Sequence, residues 1–315
     1  MASEFLDPIA LARLGALPLR AKVIVEGALT GLHRAAMRGS SVEFAEHKEY
    51  RPGDELRHVD WKAFAKLDRY YVKQFEQESQ LTVYLVLDAS GSMEFAGGGL
   101  RKLDYAAMAL AAVAHVAVGQ QDKVGLLASG DRQVEVVVPA RARASHLHDL
   151  MSVIEGLLAR GGRGDESAAV ALTRVAELCR RRRALIIVAT DLFDAGQDVI
   201  ATLADLRAQR HDVSVLHVLD PHELSFPYHG LTQFESLETS QRVLANPAAI
   251  REQYLAKMQA FLDRARGELR AAGVDYHLLP TDRPVEAAIL ELLIARSQLQ
   301  PRAARASQRA VGGRG

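Results

Sequence analysis

Val83-Tyr84-Leu85-Val86-Leu87-Asp88-Ala89-Ser90-Gly91-Ser92-Met93 is the stretch that decides the fold. Its first half is apolar and built from good strand formers, so it reads as a buried strand. The strand stops abruptly and delivers one carboxylate and two hydroxyls onto a single tight turn. A donor set made only of oxygen suits a hard divalent cation such as Mg²⁺. Open α/β sheets carry their ligand sites at this carboxyl edge.

The rest of the chain keeps the same rhythm. After the glycine run 97–99, residues 102–118 have helical apolar spacing and many alanines. Residues 123–128 and 133–138 read as two strands joined by the turn Ser129-Gly130-Asp131-Arg132. Helices are predicted near 145–159, 166–181, 197–209, 248–272 and 284–297, and further strands over 184–189, 213–219 and 274–279. Near-continuous apolar strands separated by helix-length segments argue a mostly parallel sheet covered on both faces, an α/β fold. Residues 222–245 break the pattern and read as an insertion of hairpin type.

Composition bounds the class. The chain has 315 residues, 49% of them hydrophobic, so a large core is possible. Lys plus Arg and Asp plus Glu both number 39, so no global field draws in nucleic acid or an anionic membrane. The one cysteine, Cys179, excludes an internal disulfide and a Cys-rich zinc site. The N-terminus lacks the pattern of a secretory signal, and no run of apolar residues is long enough to span a bilayer, so a cytoplasmic protein is expected. The arginines 180–183 close a helix, where cations suit the dipole, and the histidines lack metal-ligand spacing.

Upstream of residue 80 the chain reads differently. Two short helices are predicted over 7–14 and 19–34, followed by a segment dense in charge and aromatics. There 42–44 and 70–75 alternate like strands, Pro52-Gly53-Asp54 marks a turn, and Asp60 caps a short helix ahead of Trp61. Phe44, Tyr50, Trp61, Phe64, Tyr70, Tyr71 and Phe75 are too much apolar surface to leave wet, so this module is expected to be docked, with Arg51, Asp54, Arg57 and Asp60 paired. The organisation expected is therefore 1–80 as an N-terminal helical and β module, 81–300 as the α/β domain, and 301–315 as a disordered tail.

Two motifs carry a resemblance. Asp88-x-Ser90-x-Ser92 after a hydrophobic strand resembles the metal-ion-dependent adhesion site of von Willebrand factor type A domains. The run from Glu46 to Ala63, with Tyr50-Arg51-Pro52-Gly53-Asp54 and Arg57-His58-Val59-Asp60-Trp61, resembles the signature of the bacterial domain-of-unknown-function 58 family. Lys102-Leu103-Asp104-Tyr105-Ala106 and Asp122-Lys123-Val124-Gly125-Leu126 resemble that family as well, and the likeness covers about residues 38–220. The resemblance implies a doubly wound, mostly parallel sheet of von Willebrand type A kind. It implies Mg²⁺ (or Mn²⁺) held by the hydroxyls of Ser90 and Ser92, with Asp88 acting through water or orienting the serines and Asp191 supplying a second strand-end carboxylate. The pattern also wants a Thr in the loop that reads Gly161-Gly162-Arg163-Gly164-Asp165 here. Asp165 is the best substitute, and Arg163 could instead replace the cation.

The function so implied is a non-enzymatic, metal-dependent protein–protein interaction module. Its implied partner is a MoxR-type AAA ATPase, or that ATPase's client, in complex assembly or maturation. The enzyme alternative is a Mg²⁺-dependent phosphohydrolase of haloacid dehalogenase type with Asp88 as nucleophile. That chemistry needs a second carboxylate two residues on, where this chain has Ser90.

Overall fold

A computed structural model describes residues 7–13, 15–38, 48–49, 71–72, 80–130, 134–162, 168–180, 182–193, 196–238 and 241–294. The chain divides into two compact units, one made of 1–32 with 81–315 and the other of 33–80. In the first stretch, Asp7 caps a short helix, Pro8–Ala12 (α1), and Leu17–Arg38 forms α2. Of the second unit, Lys48–Glu49 (β1) and Tyr71–Val72 (β2) are described, paired antiparallel. The remaining aromatic and charged residues expected to dock there, from Phe44 through Trp61 to Phe75, lie outside the described residues, as does the 301–315 tail.

The main unit is an α/β sandwich around one sheet. Thr82–Asp88 (β3) leads through a 3₁₀ turn, Gly91–Glu94, into Lys102–Gly119 (α3). Then follow Lys123–Ser129 (β4), Val134–Arg141 (β5), Ala144–Arg160 (α4) and Ala168–Cys179 (α5). Leu185–Thr190 (β6), Gly196–Ala208 (α6) and Asp212–Leu219 (β7) precede Pro221–Ser225 (α7). The hairpin Thr232–Glu235 (β8) and Arg242–Ala245 (β9) comes next, then Pro247–Ala271 (α8), Asp275–Pro280 (β10) and a last helix over 285–294 (α9). The sheet order is β10-β7-β6-β3-β4-β5, and every pairing is parallel except that of the edge strand β5 with β4. This is the doubly wound, mostly parallel sheet read from the sequence.

The pleat divides the core. Val83, Leu85 and Leu87 face α1, α2, α3, α4 and α9, while Tyr84 and Val86 face α5, α6 and α8, as the period of two along a strand requires. The Tyr84 ring lies over Gly125 of β4, where an added Cβ would meet the ring at 2.9 Å. α3 is apolar on every side and almost wholly buried, and its alanines let neighbours approach closely. It is long and apolar enough to cross a membrane, but 78% of that window is buried inside the fold, which marks a core helix.

α1 and the first part of α2 belong to this core. Leu11, Leu17, Ala21, Ile24 and Ala28 are buried in the same cluster as Leu85 and Leu110. Truncating a buried Ile to Ala costs about 2–5 kcal/mol. Ile24→Ala should therefore lower the stability of the whole α/β unit by that amount in urea unfolding, with a single transition. A shift below about 0.5 kcal/mol would show that α2 is an appendage.

Candidate functional site

The sheet reverses its winding between β3 and β6. From β3 the chain crosses to β4 on one side, and from β6 to β7 on the other. The carboxyl ends of these two strands form the crevice where open α/β sheets bind ligands. Here the chain places Asp88 at the end of β3, and Thr190 and Asp191 at the end of β6. The Thr190 hydroxyl donates to Asp88 Oδ2 at 2.6 Å, tying the two strand ends together.

The turn after β3 is organised by Asp88. Its Oδ1 accepts the Ser90 amide at 3.1 Å, an Asx-type turn, and the Ser90 carbonyl accepts the Met93 amide at 3.2 Å. The two hydroxyl oxygens, Ser90 Oγ and Ser92 Oγ, then lie 3.1 Å apart. Adjacent ligands in an octahedron with bonds of about 2.1 Å sit about 3 Å apart, so this pair has the spacing of two neighbouring Mg²⁺ ligands. Asp88 is buried, and burial together with the nearby Asp191 pushes its carboxyl up to about 6 despite the hydrogen bonds from Thr190 and Ser90. Among the described residues no ion pair reaches Asp88, and no group of three or more His, Cys, Asp and Glu side chains is arranged to hold a metal. A cation here would rest on the hydroxyls, with Asp88 behind them supplying negative charge. The donor set fits such an ion.

Asp191 is held differently. Its Oδ2 accepts Lys102 Nζ at 2.7 Å, and its Oδ1 accepts the Phe193 amide at 3.1 Å. Lys102 opens α3, is fully buried, and also donates to Glu223 Oε1 at 2.7 Å. The ammonium lies 4.8 Å from the Phe193 ring centroid. Burial alone would lower its pKa, but the two carboxylates outweigh burial and raise it. Glu223 is pushed up by burial, against the pull of Lys102. A cation in the first turn opposes the helix dipole, so only these carboxylates account for its place. Sequence reasoning took Lys102 as a family-like residue and missed its role. The available signal was a lysine in the first turn of an otherwise apolar, alanine-rich helix, where a cation opposes the dipole.

Further contacts fix the frame. His217 of β7 donates from Nε2 to the Asp191 carbonyl at 2.8 Å, and its Nδ1 accepts the Tyr276 hydroxyl at 2.7 Å. Burial pulls this imidazole down to about 4, so it stays neutral. Asp220 caps α7 through the His222 amide at 2.7 Å and also accepts the Gly97 amide at 2.9 Å. From the other side, the Gly162 amide donates to Glu94 Oε1 at 2.6 Å. A Cβ on Gly162 would lie 2.3 Å from the Ser90 carbonyl, so glycine is what lets this loop reach the turn. Asp165 and Arg163, further along the same loop, lie outside the described residues. The structure thus joins Asp88, Ser90 and Ser92 on one turn and sets Asp191 beside them, engaged by Lys102. The position a phosphohydrolase would need for its acid/base carboxylate holds Ser90, so the enzyme alternative finds no support.

Comparison with known proteins places this arrangement in context. The family model described as protein of unknown function DUF58 matches residues 46–262. The uncharacterized protein Rv1480 of Mycobacterium tuberculosis is 29% identical over 296 residues, covering 92% of this chain and 90% of its own length. Among solved structures, the conserved hypothetical protein BatB from Bacteroides thetaiotaomicron is 16% identical, with a TM-score of 0.43 over 69% of this chain and 99% of that one. The SpRpn10 VWA domain is 10% identical, with a TM-score of 0.39 over 67% of this chain and 94% of that one.

The Lys102 ammonium yields a direct prediction. Removing one partner of a buried ion pair leaves the other charge uncompensated, at a cost of about 3–5 kcal/mol. Lys102→Met should destabilise the protein by that amount in urea unfolding, and adding Asp191→Asn should restore part of the loss. A single-variant change below about 1 kcal/mol would mean that water reaches these charges.

Proposed function

Taking as premise that this chain belongs to the protein family of unknown function DUF58, we propose that it is a protein-interaction module whose docking point is a divalent cation at the Ser90–Ser92 turn. One observation carries the reading: two hydroxyls 3.1 Å apart, at ligand spacing, beside a buried carboxylate that no basic side chain among the described residues neutralises. Ser90 and Ser92 would hold the ion, and Asp88, fixed by Thr190 and the Ser90 amide, would balance its charge. When bound, Mg²⁺ or Mn²⁺ supplies an electrophilic position that an acidic side chain of a partner completes.

The surrounding residues serve this role by rigidity. Lys102 neutralises Asp191 and Glu223, so those carboxylates neither compete for the ion nor repel Asp88 at full strength. His217 and Tyr276 hold the Asp191 backbone from behind. The partner class proposed is a MoxR-type AAA ATPase or its client, the expectation attached to the family resemblance. Asp165 remains a proposed further ligand from the loop that Gly162 brings against the turn.

Calorimetric titration with Mn²⁺ tests the reading. The wild type should bind one ion saturably. Ser90→Ala combined with Ser92→Ala should weaken binding at least tenfold, about 1.4 kcal/mol, with an unchanged circular dichroism spectrum. A wild type that takes up no Mn²⁺ at millimolar concentration would contradict it.

A further inference from the structure

We infer that Ser129, at the end of β4, is a positioning residue of the Ser90–Ser92 turn: its hydroxyl is the second clamp on the Asp88 carboxylate, closing on it when the turn holds its cation. The inference deepens the reading of this turn as a cation site and rests on it.

The sheet puts Ser129 in place. β3 and β4 run parallel with Asp88 opposite Ser129. Two residues back along each strand, Val86 and Leu127 share the cluster under α5, α6 and α8. The period of two therefore sets Asp88 and Ser129 on that same face. On the other flank of β3, Thr190 lies one residue beyond the Leu87–Ala189 pair and two past Val188 of the same cluster. Thr190 is thus to Asp88 on β6 what Ser129 is on β4. Thr190 spends its hydroxyl on Asp88, at 2.6 Å. His217, next in the row on β7, uses both ring nitrogens. Ser129 is fully buried, and its Oγ has no hydrogen-bond partner among the described residues.

A buried hydroxyl without a partner costs stability. Alanine would fill nearly the same space without that cost, so the hydroxyl calls for a functional reason. The Ser129 backbone is fixed, because its carbonyl accepts the Ala89 amide at 3.0 Å. Only rotation about χ1 can move the oxygen. The ladder to β5 shifts register between Ala128 and Ser129, and irregularities of this kind beside a site re-aim a side chain. Neighbouring strands lie about 4.8 Å apart, a gap that the Thr190 hydroxyl already bridges to Asp88 from the other side. A carboxylate also has more acceptor positions than the Thr190 hydroxyl and the Ser90 amide fill. With a cation on the two serine hydroxyls, Asp88 is the charge behind it. A hydroxyl that donates to a carboxylate makes a bond about twice as strong as one between neutral groups. That bond gives Ser129 its partner and holds Asp88 from both flanks.

Ser129→Ala in the full-length protein tests this. In EDTA its urea midpoint should equal or exceed that of the wild type, because the hydroxyl removed has no partner there. A lower midpoint overturns the inference, since Ser129 would then already be bonded in the ion-free protein. In calorimetric titration the variant should bind Mn²⁺ at least fivefold more weakly than the wild type. Affinity lost without stability lost is a result that a packing role does not produce. Equal affinity overturns the inference and leaves the cation reading standing, whereas a wild type that binds no Mn²⁺ removes both. Wild-type crystals loaded with Mn²⁺ give a direct readout. Ser129 Oγ should lie within about 3.0 Å of an Asp88 carboxylate oxygen, and an oxygen turned away from Asp88 in the ion-bound site overturns the clamp.

Discussion

The ammonium of Lys102 ties the site together. It lies fully buried between Asp191 and Glu223, 2.7 Å from each, and joins the head of α3 to the end of β6 and to α7. A buried cation with two good partners is not strong evidence of stability, since an apolar trio of the same volume can do as well. Its consequence is electrostatic. With Asp191 compensated, Asp88 is a strand-end carboxylate with no ion pair among the described residues, and burial together with its neighbour Asp191 raises it to about 6. The topology then sets that carboxylate at the switch point, against two hydroxyls at ligand spacing.

The site therefore divides its work between two layers. Behind the strand ends, Lys102, Glu223, His217 and Tyr276 form a chain of hydrogen bonds around Asp191. In front, Asp88, Ser90 and Ser92 sit on one short turn, braced by Gly162 on one side and by Glu238, which accepts the Ser92 amide, on the other. A back layer that orients a front layer through hydrogen bonds is what the proposed ion-binding turn would require.

Most of the fold was legible because each buried strand is a continuous apolar run closed by turn residues. VYLVLD, LIIVAT and DVSVLHVL need no partner to be recognised. Asp88, Ser90 and Ser92 were legible for a related reason: they lie within five residues on one turn, so a local pattern contains them. Lys102, Glu223 and Glu238 were not. Lys102 meets Asp191 across 89 residues and Glu223 across 121, and only the folded topology brings them together. His217 hid inside a strand pattern, because its partners, the Asp191 carbonyl and the Tyr276 hydroxyl, are remote in sequence. The N-terminal helices were grouped by position with the charged segment that follows, yet their apolar faces pack on the sheet.

The proposed cation site at the Ser90–Ser92 turn lies in front of the Lys102–Asp191 pair. A crystal of the protein grown in Mn²⁺ and measured at the manganese edge tests it most directly. The expected result is one anomalous peak at about 2 Å from both Ser90 Oγ and Ser92 Oγ, with Lys102 Nζ still on Asp191. No peak at saturating Mn²⁺, or a peak at Asp191 with Lys102 expelled, would contradict it.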